Sequence, residues 1–238
     1  KKITKIALKY PSVDAQGKNA YLSGVVYLHY GAKDINEIIV ASHYTTSTSK
    51  EVPSHKGTEA MEAFLCMRNE NIMVVASDYL GYGESEKYVH PYLNEDLAAR
   101  NQIDLLKQAK KYIATHNISL ETTAKGLKTY STGYSQGGAV AMAVHKAFDA
   151  NNSLAQKYGF KQSFCGDCPY DPMATFNFYL TKGSVEMPFV LPLVLAGMQA
   201  TYPDLFKGIN MNDYFSDKLR AIDIINMVKS KKYSSLDI

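Results

Sequence analysis

The stretch that decides the fold is Leu127-Lys-Thr-Tyr-Ser-Thr-Gly-Tyr-Ser-Gln-Gly-Gly-Ala-Val-Ala-Met-Ala-Val144. Its first six residues, Leu127 to Thr132, have the composition of a strand, and Ala139 to Val144 form an alanine-rich run typical of a buried helix. Between them, Gly133-Tyr134-Ser135-Gln136-Gly137 matches the pattern G-x-S-x-G. In this pattern a sharp strand-to-helix turn exposes the serine hydroxyl, and glycine two residues to either side avoids collision with the neighbouring chain.

Further segments have the composition of strands. Residues 3–10 and 21–30 are rich in Val, Tyr, Leu and Ile and are separated by turn-forming residues, which predicts an N-terminal hairpin. Glu37 to Ser42 and Asn71 to Ser77 are apolar without alternation, as are strands covered on both faces of a parallel sheet. Phe160 to Cys165 predicts one more strand.

Helical patterns separate these strands. Thr58 to Arg68 predicts a crossover helix, and Leu93 to Ile113 repeats apolar residues at steps of three or four, with Lys and Gln on the other face. Alternating strands and helices indicate an α/β fold with a mostly parallel, doubly wound sheet. From Pro169 onward only helical patches occur, so we expect a core of residues 1–168 and a helical subdomain of residues 169–238.

The composition is that of a globular protein. Of 238 residues 46% are apolar, and 26 Lys and Arg against 23 Asp and Glu give a net charge of +3. This excludes a disordered chain and leaves no concentrated basic face for a nucleic acid. The longest uncharged apolar run, Met187 to Ala200, is shorter than the roughly 20 residues that span a bilayer, so we expect no transmembrane segment. No apolar segment follows the lysines at the start, so we expect any signal sequence to lie outside these residues.

The three cysteines, Cys66, Cys165 and Cys168, are too few for a disulfide scaffold. Cys165-Gly-Asp-Cys168 has the spacing of a redox or zinc motif, but zinc needs four ligands and no second Cys or His pair follows. We therefore expect no metal and no cofactor. Either a local disulfide or two buried thiols at a strand end accounts for the pair.

Three motifs in this order and spacing resemble those of the α/β-hydrolase superfamily. They are His43-Tyr44-Thr45, Asp78-Tyr-Leu-Gly-Tyr-Gly-Glu-Ser85, which resembles the D-x-x-G-x-G-x-S loop, and the turn from Gly133 to Gly138. Within the superfamily the chain resembles the secreted lipase and esterase group that includes fungal secretory lipases and bacterial relatives. That group carries a large helical lid inserted after the sixth strand, and the likeness covers about residues 20–230.

The resemblance implies a role for each residue around the serine. Ser135 is the expected nucleophile, and the backbone N–H groups of Gln136 and Thr45 are the expected donors to an oxyanion. Tyr44 stands where many relatives have glycine, so a neighbour of Thr45 is the alternative donor. For His43 we favour a structural role in its loop over a direct catalytic one.

Other residues of the motifs are expected to shape the turn and the pocket. Gly133, Tyr134 and Gly137 surround the serine. Asp78, Tyr79, Gly81 and Gly83 belong to a tight loop that is structural and lines the pocket on one side.

The run from Met187 to Met198 offers two compatible interpretations. By the resemblance, it lines an acyl-chain tunnel under a lid. By composition alone, it packs a helix against the sheet.

A base for Ser135 is missing. In α/β-hydrolases the chain order is serine, acid, histidine, yet no histidine follows His145, which lies roughly 15 Å along the helix from the serine. We expect that the chain stops short of the strands carrying the acid and the histidine. Otherwise His43, His55 or His90 would have to act as the base for Ser135.

These observations predict a serine hydrolase that cleaves carboxylic esters through an acyl-serine intermediate. The expected partner is a small-molecule or lipid ester, and the resemblance implies secretion or a cell-envelope location. A serine peptidase of the same fold and a hydrolase-like binding protein without catalysis are the alternatives.

Overall fold

The computed structural model describes residues 2–56, 61–121, 126–184 and 187–234. The strands are β1 (Ile3–Val13), β2 (Asn19–His29), β3 (Asp34–Ile35), β4 (Glu37–Ser42), β5 (Ile72–Ser77), β6 (Ser119–Leu120), β7 (Lys128–Tyr134) and β8 (Phe160–Gly166). The helices are α1 (Met61–Cys66), α2 (Glu95–Thr115), α3 (Gln136–Asp149), α4 (Asn152–Tyr158), α5 (Pro172–Lys182), α6 (Val190–Thr201), α7 (Asp217–Ala221) and α8 (Ile224–Ser230).

The central sheet has six strands in the order β1-β2-β5-β4-β7-β8. β1 and β2 form the predicted antiparallel hairpin, with Ile3 opposite His29 and Val13 opposite Asn19. β2 is also antiparallel to β5, whereas the β5–β4, β4–β7 and β7–β8 pairs are all parallel. β3 and β6 pair separately. The predicted mostly parallel α/β sheet is therefore confirmed.

Both faces of the central strands are covered, which explains their unbroken apolar sequences. In β5 every residue is buried: Met73 and Val75 join the cluster that includes α2 and α3, while Val74 and Ala76 join the cluster under α1. Because successive side chains point to opposite faces, a strand covered on both sides loses the alternation of a half-exposed one.

The long helix α2 has the predicted apolar stripe, but one of its glutamines does not lie on the solvent side. Gln102 is fully buried. Its amide accepts from the Ser77 N–H at 3.1 Å and donates to the Ala41 carbonyl at 2.8 Å. The expectation that all glutamines of this helix face water is wrong at Gln102, because the amide satisfies backbone groups at the ends of β4 and β5.

The predicted crossover helix ends at Cys66, two residues before the end of its pattern at Arg68. Its described part is α1, Met61–Cys66, and residues 58–60 of the prediction lie outside the described residues.

After β8 the described residues contain helices and no strand, as expected from Pro169 onward. Phe189 and Leu193 pack on Tyr92, in the loop between β5 and α2, and a side chain at Gly197 would lie 2.5 Å from the Tyr92 nitrogen. α8 packs in turn on α6. No described helix has the length and apolar character needed to cross a bilayer.

A buried lysine ties this helical segment to the core. Lys231 is only 6% exposed, and its ammonium group donates to the carbonyls of Gly81 at 2.7 Å, Tyr88 at 2.6 Å and Glu86. Burial lowers the pKa of Lys231 to about 8. The lysine thus supplies hydrogen-bond donors to inward-facing carbonyls of the loop that follows β5.

Replacement of Lys231 tests this anchor. We expect Lys231→Ala to lower the free energy of unfolding by about 3 kcal/mol, because carbonyls buried with the lysine lose a charged donor. Lys232→Ala is the matched control, since Lys232 is exposed, and its effect should stay within about 0.5 kcal/mol. Denaturant unfolding of both variants measures the difference, and equal effects would contradict the anchoring role.

Candidate active site

Ser135 occupies the turn between β7 and α3 with strained backbone angles. It has φ 56° and ψ −127°, a conformation uncommon for any residue other than glycine. Its N–H donates to the Gly166 carbonyl at 2.8 Å. The residue is half-buried, and within the described ranges its hydroxyl makes no hydrogen bond. The backbone geometry predicted by G-x-S-x-G is therefore present.

The flanking glycines are required by direct contact between backbones. A Cβ at Gly133 would lie 2.1 Å from the Gly137 carbonyl oxygen, and one at Gly137 would lie 2.1 Å from the Ser42 carbonyl oxygen. The turn therefore packs without any side chain between it and the end of β4. This contact brings the residues after β4 to the start of α3.

The backbone N–H groups of Gln136 and Thr45 have no acceptor within the described part of the chain. Gln136 is the first residue of α3, where the helix dipole favours negative charge. Thr45 lies three residues beyond β4, and its hydroxyl is hydrogen-bonded to that of Tyr92 at 2.8 Å. Donors of this kind are suited to a developing oxyanion, and their roles remain predictions.

The loop after β4 is held by its own histidine. His43 is buried, and the 2.8 Å contact of Nδ1 with the Tyr44 carbonyl assigns it as the donor. Its ring stacks on Tyr79 with 4.1 Å between ring centroids, and burial lowers the His43 pKa. The side chain of Tyr44 is 41% exposed and lies under the ammonium group of Lys56. This geometry supports the structural interpretation of His43.

The loop after β5 is built around a buried carboxylate. Asp78 accepts from the Ser54 N–H at 2.8 Å and from the Ser23 hydroxyl at 2.6 Å. A Cβ at Gly83 would lie 2.0 Å from the Ser23 hydroxyl oxygen, and one at Gly81 would lie 2.6 Å from the His90 backbone. These contacts explain the D-x-x-G-x-G spacing as packing.

Tyr79 continues the same loop with φ 65° and donates its hydroxyl to the His43 carbonyl at 3.1 Å. It is fully buried, and burial raises its pKa. Tyr134 differs, because it is 57% exposed and its hydroxyl contacts Asp167 at 3.3 Å.

His90 is buried directly behind Gln136. Its Nδ1 donates to the Leu80 carbonyl at 2.8 Å, so Nε2 is the acceptor for the Gln136 amide at 2.9 Å. Burial lowers the His90 pKa to about 3, and the ring is neutral near pH 7. The sequence presented His90 as a candidate base, but its unprotonated nitrogen, Nε2, already accepts the hydrogen bond from Gln136. His90 instead fixes the side chain of Gln136.

No histidine contacts Ser135 in the described structure. His55 is exposed and donates to the Ser49 carbonyl. His145 contacts the Ser163 hydroxyl at 2.9 Å, along α3 and away from the turn. The arrangement holds a serine and free N–H donors without a base beside them.

A cleft of about 330 Å³ opens beside α3, one turn from the serine. Among its lining residues are Glu95, Met142, Tyr170 and Tyr202. Burial raises the pKa of Glu95 to about 7. No local sequence pattern indicated that Glu95 is a candidate site residue. The residues that line the cleft with it come from α2, α3 and the segments around Pro169 and Tyr202, which are distant in the chain. Among the described residues no three His, Cys, Asp or Glu are grouped to hold a metal.

Gly137→Ala tests the backbone contact at the turn. We expect it to lower the free energy of unfolding by about 3 kcal/mol, since a methyl group would collide with the Ser42 carbonyl. Gly17→Ala is the control, because Gly17 has φ 74° with nothing within 4 Å, and its cost should be about 1 kcal/mol of backbone strain. Comparable unfolding midpoints for both variants would contradict the close packing.

His90→Asn tests the neutral buried imidazole. The native pKa of about 3 lies below the unfolded value of 6.5, so the unfolded state binds more protons between these pH values. Stability from His90 is thus fully present above pH 6.5 and is lost toward pH 3, by up to about 1.4 kcal/mol per pH unit. Asn retains a donor for Leu80 but does not titrate. The stability advantage of the native protein over the variant should therefore shrink as the pH is lowered from 6.5 toward 3. A difference that stays constant over this range would show that His90 takes up a proton as readily in the folded protein as in the unfolded chain.

Comparison with known proteins identifies relatives by structure. No family model matches the chain. No curated protein matches it in sequence. The rice cell wall degrading esterase LipA of Xanthomonas oryzae superposes with a TM-score of 0.81 at 25% identity, over 99% of this chain and 61% of that one. Candida antarctica lipase A superposes with a TM-score of 0.60 at 15% identity, over 98% of this chain and 54% of that one.

The chain thus spans about three fifths or less of the length of these structures. Nearly all of its own residues are covered in both superpositions. The chain therefore has the α/β-hydrolase fold that its three motifs predict, and it resembles the esterase and lipase structures of that fold.

Proposed function

We propose that this chain carries the nucleophile and the oxyanion-binding groups of a serine hydrolase that cleaves carboxylic esters. The observation that carries the proposal is the strained turn at Ser135, with a hydroxyl free of hydrogen bonds in the described structure, beside the unpaired N–H groups of Gln136 and Thr45. The similarity to LipA, an esterase, supports the ester class.

The proposed reaction begins when a base takes the proton of the Ser135 hydroxyl and the oxygen attacks the ester carbonyl carbon. The carbonyl oxygen becomes an oxyanion that accepts from Gln136 and Thr45. The intermediate collapses to an acyl-serine, and the alcohol leaves with the proton that the base returns. Water then attacks the acyl-serine by the same route, releasing the acid and restoring the hydroxyl.

The donors are held before substrate arrives, which is what makes such a site effective. The Gln136 side chain is fixed by His90, and the Thr45 side chain by Tyr92. Donors that need no reorganisation stabilise the transition state, each by about 3 kcal/mol in comparable sites. The unpaired N–H groups are consistent with positions left open for a substrate oxygen.

We place the base and its orienting acid outside residues 1–238. Each of the six histidines in this sequence lacks a described contact with Ser135, and the two most buried, His43 and His90, already use their ring nitrogens on loop groups. The chain spans 61% of LipA, which leaves room in a protein of that length for further catalytic residues.

Residues 169–238 are proposed as a cap over the site. α6 packs on the loop after β5, and two residues that follow α8 contact these loops: Lys231 contacts the loop after β5, and Tyr233 contacts the loop after β4. The cleft of about 330 Å³ beside α3 is the proposed site for part of a small-molecule or lipid ester. Because LipA is described as degrading rice cell wall, a secreted or cell-envelope location is part of this proposal.

A hydrolase-like binding protein is the second candidate, and the lack of a base beside Ser135 favours it. It would use the same pocket without turnover. A serine peptidase of the same fold is the third possibility, and the choice of substrates in the following test separates it from an esterase.

The test measures hydrolysis of a p-nitrophenyl ester and of a matched anilide by the complete gene product. We expect ester turnover, and Ser135→Ala should lower kcat by roughly 10⁴ to 10⁶, because only binding and oxyanion stabilisation remain. Ser153→Ala, on the exposed side of α4, is the control and should retain full activity. Residues 1–238 alone should be nearly inactive, since a serine hydroxyl without a base is a weak nucleophile.

Other outcomes of this test would contradict the proposal in different ways. Turnover by residues 1–238 alone that depends on Ser135 would show that one of their own histidines acts as the base. Preference for the anilide would indicate a peptidase. Substrate binding without turnover by the complete gene product would favour the binding protein.

A further inference from the structure

The end of β8 and the bend that follows it carry two thiols near the Ser135 turn. Cys165 and Cys168 are both free and half-buried, whereas Cys66, the last residue of α1, is fully buried. Only Gly166 and Asp167 separate the two cysteines, and the Cys168 thiol contacts the Gly166 carbonyl at 3.5 Å. Both thiols therefore lie on one short segment of the chain.

The backbone between the two cysteines bends at Asp167. Asp167 has φ 46°, in the left-handed region that few residues other than glycine adopt. Cysteines separated by a tight bend of two residues can meet the short Cα separation that a disulfide requires. Thiols held in such a bend are the usual arrangement of a redox-active pair.

This bend also forms one wall of the Ser135 turn. The carbonyl of Gly166, between the two cysteines, accepts the Ser135 N–H at 2.8 Å. A Cβ at Gly138 would lie 2.2 Å from the Cys168 sulfur, so this sulfur rests directly on the first turn of α3. A change at either thiol therefore reaches the backbone that holds the serine.

We propose that Cys165 and Cys168 form a reversible redox site, and that its oxidation to a disulfide by a low-molecular-weight disulfide changes the conformation of the Ser135 turn. The thiols and their contacts with the turn carry this inference, whichever reaction Ser135 performs.

The chemistry is an exchange in which electrons and atoms balance. The Cys165 thiolate attacks one sulfur of glutathione disulfide, and the first glutathione leaves with the proton given up by the cysteine. The Cys168 thiolate then attacks the Cys165 sulfur of the mixed disulfide, and the second glutathione leaves with the second proton. One protein disulfide forms as one glutathione disulfide is reduced to two thiols.

Burial raises the pKa of the Cys168 thiol, so its thiolate is scarce near pH 7 and the second exchange step is expected to be slow. One feature distinguishes the pair from metal-binding cysteines. The described residues contain no group of three Cys, His, Asp or Glu, so the pair has no described partners for a zinc site.

Oxidation is expected to act on Ser135 through the carbonyl of Gly166. The Cys168 sulfur lies beside Gly138 and the Gly166 carbonyl, and we expect the bond to Cys165 to draw it from this place and to rotate the intervening residues. The hydrogen bond from the Ser135 N–H is then lengthened or broken. Hydrogen exchange at this amide reports the change directly and needs no substrate.

The test equilibrates the full chain with glutathione buffers of rising oxidised fraction and then blocks free thiols for mass spectrometry. We expect Cys165 and Cys168 to lose their free thiols together, with the mass loss of two hydrogen atoms, while Cys66 stays reduced. Exchange at the Ser135 amide should become at least about tenfold faster in the oxidised form, and reductant should reverse it. Cys66→Ser is the matched control and should behave like the native chain.

Cys165→Ser and Cys168→Ser separate the parts of the proposal. Each should stop at a glutathione adduct or remain reduced, with native exchange at Ser135. Free thiols at every buffer ratio would overturn the redox site. A disulfide that forms without any change at the Ser135 amide would overturn the coupling. Neither result depends on ester hydrolysis, so failure here is distinguishable from failure of the proposed function.

Discussion

Contact between bare backbones at one edge of the sheet is the constraint on which the rest of the structure depends. Gly137 lies against the carbonyl of Ser42, and Gly133 lies against Gly137, with no space for a methyl group at either. This contact sets how closely α3 approaches β4. Ser135 is thereby held at positive φ, a strain that persists because the strand and the helix on either side over-determine it.

A network of buried polar groups extends this order to the neighbouring loops. Asp78, Gln102 and Lys231 are all buried, and each satisfies backbone groups from segments distant in the chain. Buried polar groups are costly when unpaired, so these side chains favour one arrangement of the loops after β4 and β5. The order matters for the proposed function because these loops carry Thr45 and surround Gln136.

The candidate site therefore has a rigid part within these residues, and the base belongs to the part that we propose lies elsewhere. The serine and the candidate oxyanion donors lie on elements fixed by packing, whereas none of the histidines is positioned to move a proton at Ser135. On the other side of the serine lies the Cys165 to Cys168 bend, which contacts the turn through the hydrogen bond from the Ser135 N–H to Gly166 and through the Cys168 sulfur beside Gly138. Rigidity on one side and a chemically changeable contact on the other make the turn a natural point of control.

The sequence by itself determined the strands, the strand-to-helix turn and the nucleophile candidate, because these depend on neighbours in the chain: the apolar runs, the period of α2, and glycines flanking Ser135. Only the tertiary structure decided that Gln102 is buried, that His90 supports Gln136, and that Lys231 anchors the helical segment. The Lys231 ammonium meets the Gly81 carbonyl across 150 positions of sequence. A lysine in a basic run and a glutamine among helical polar residues look solvent-exposed in any local pattern, and only the folded backbone presents the carbonyls and amides that draw them inward.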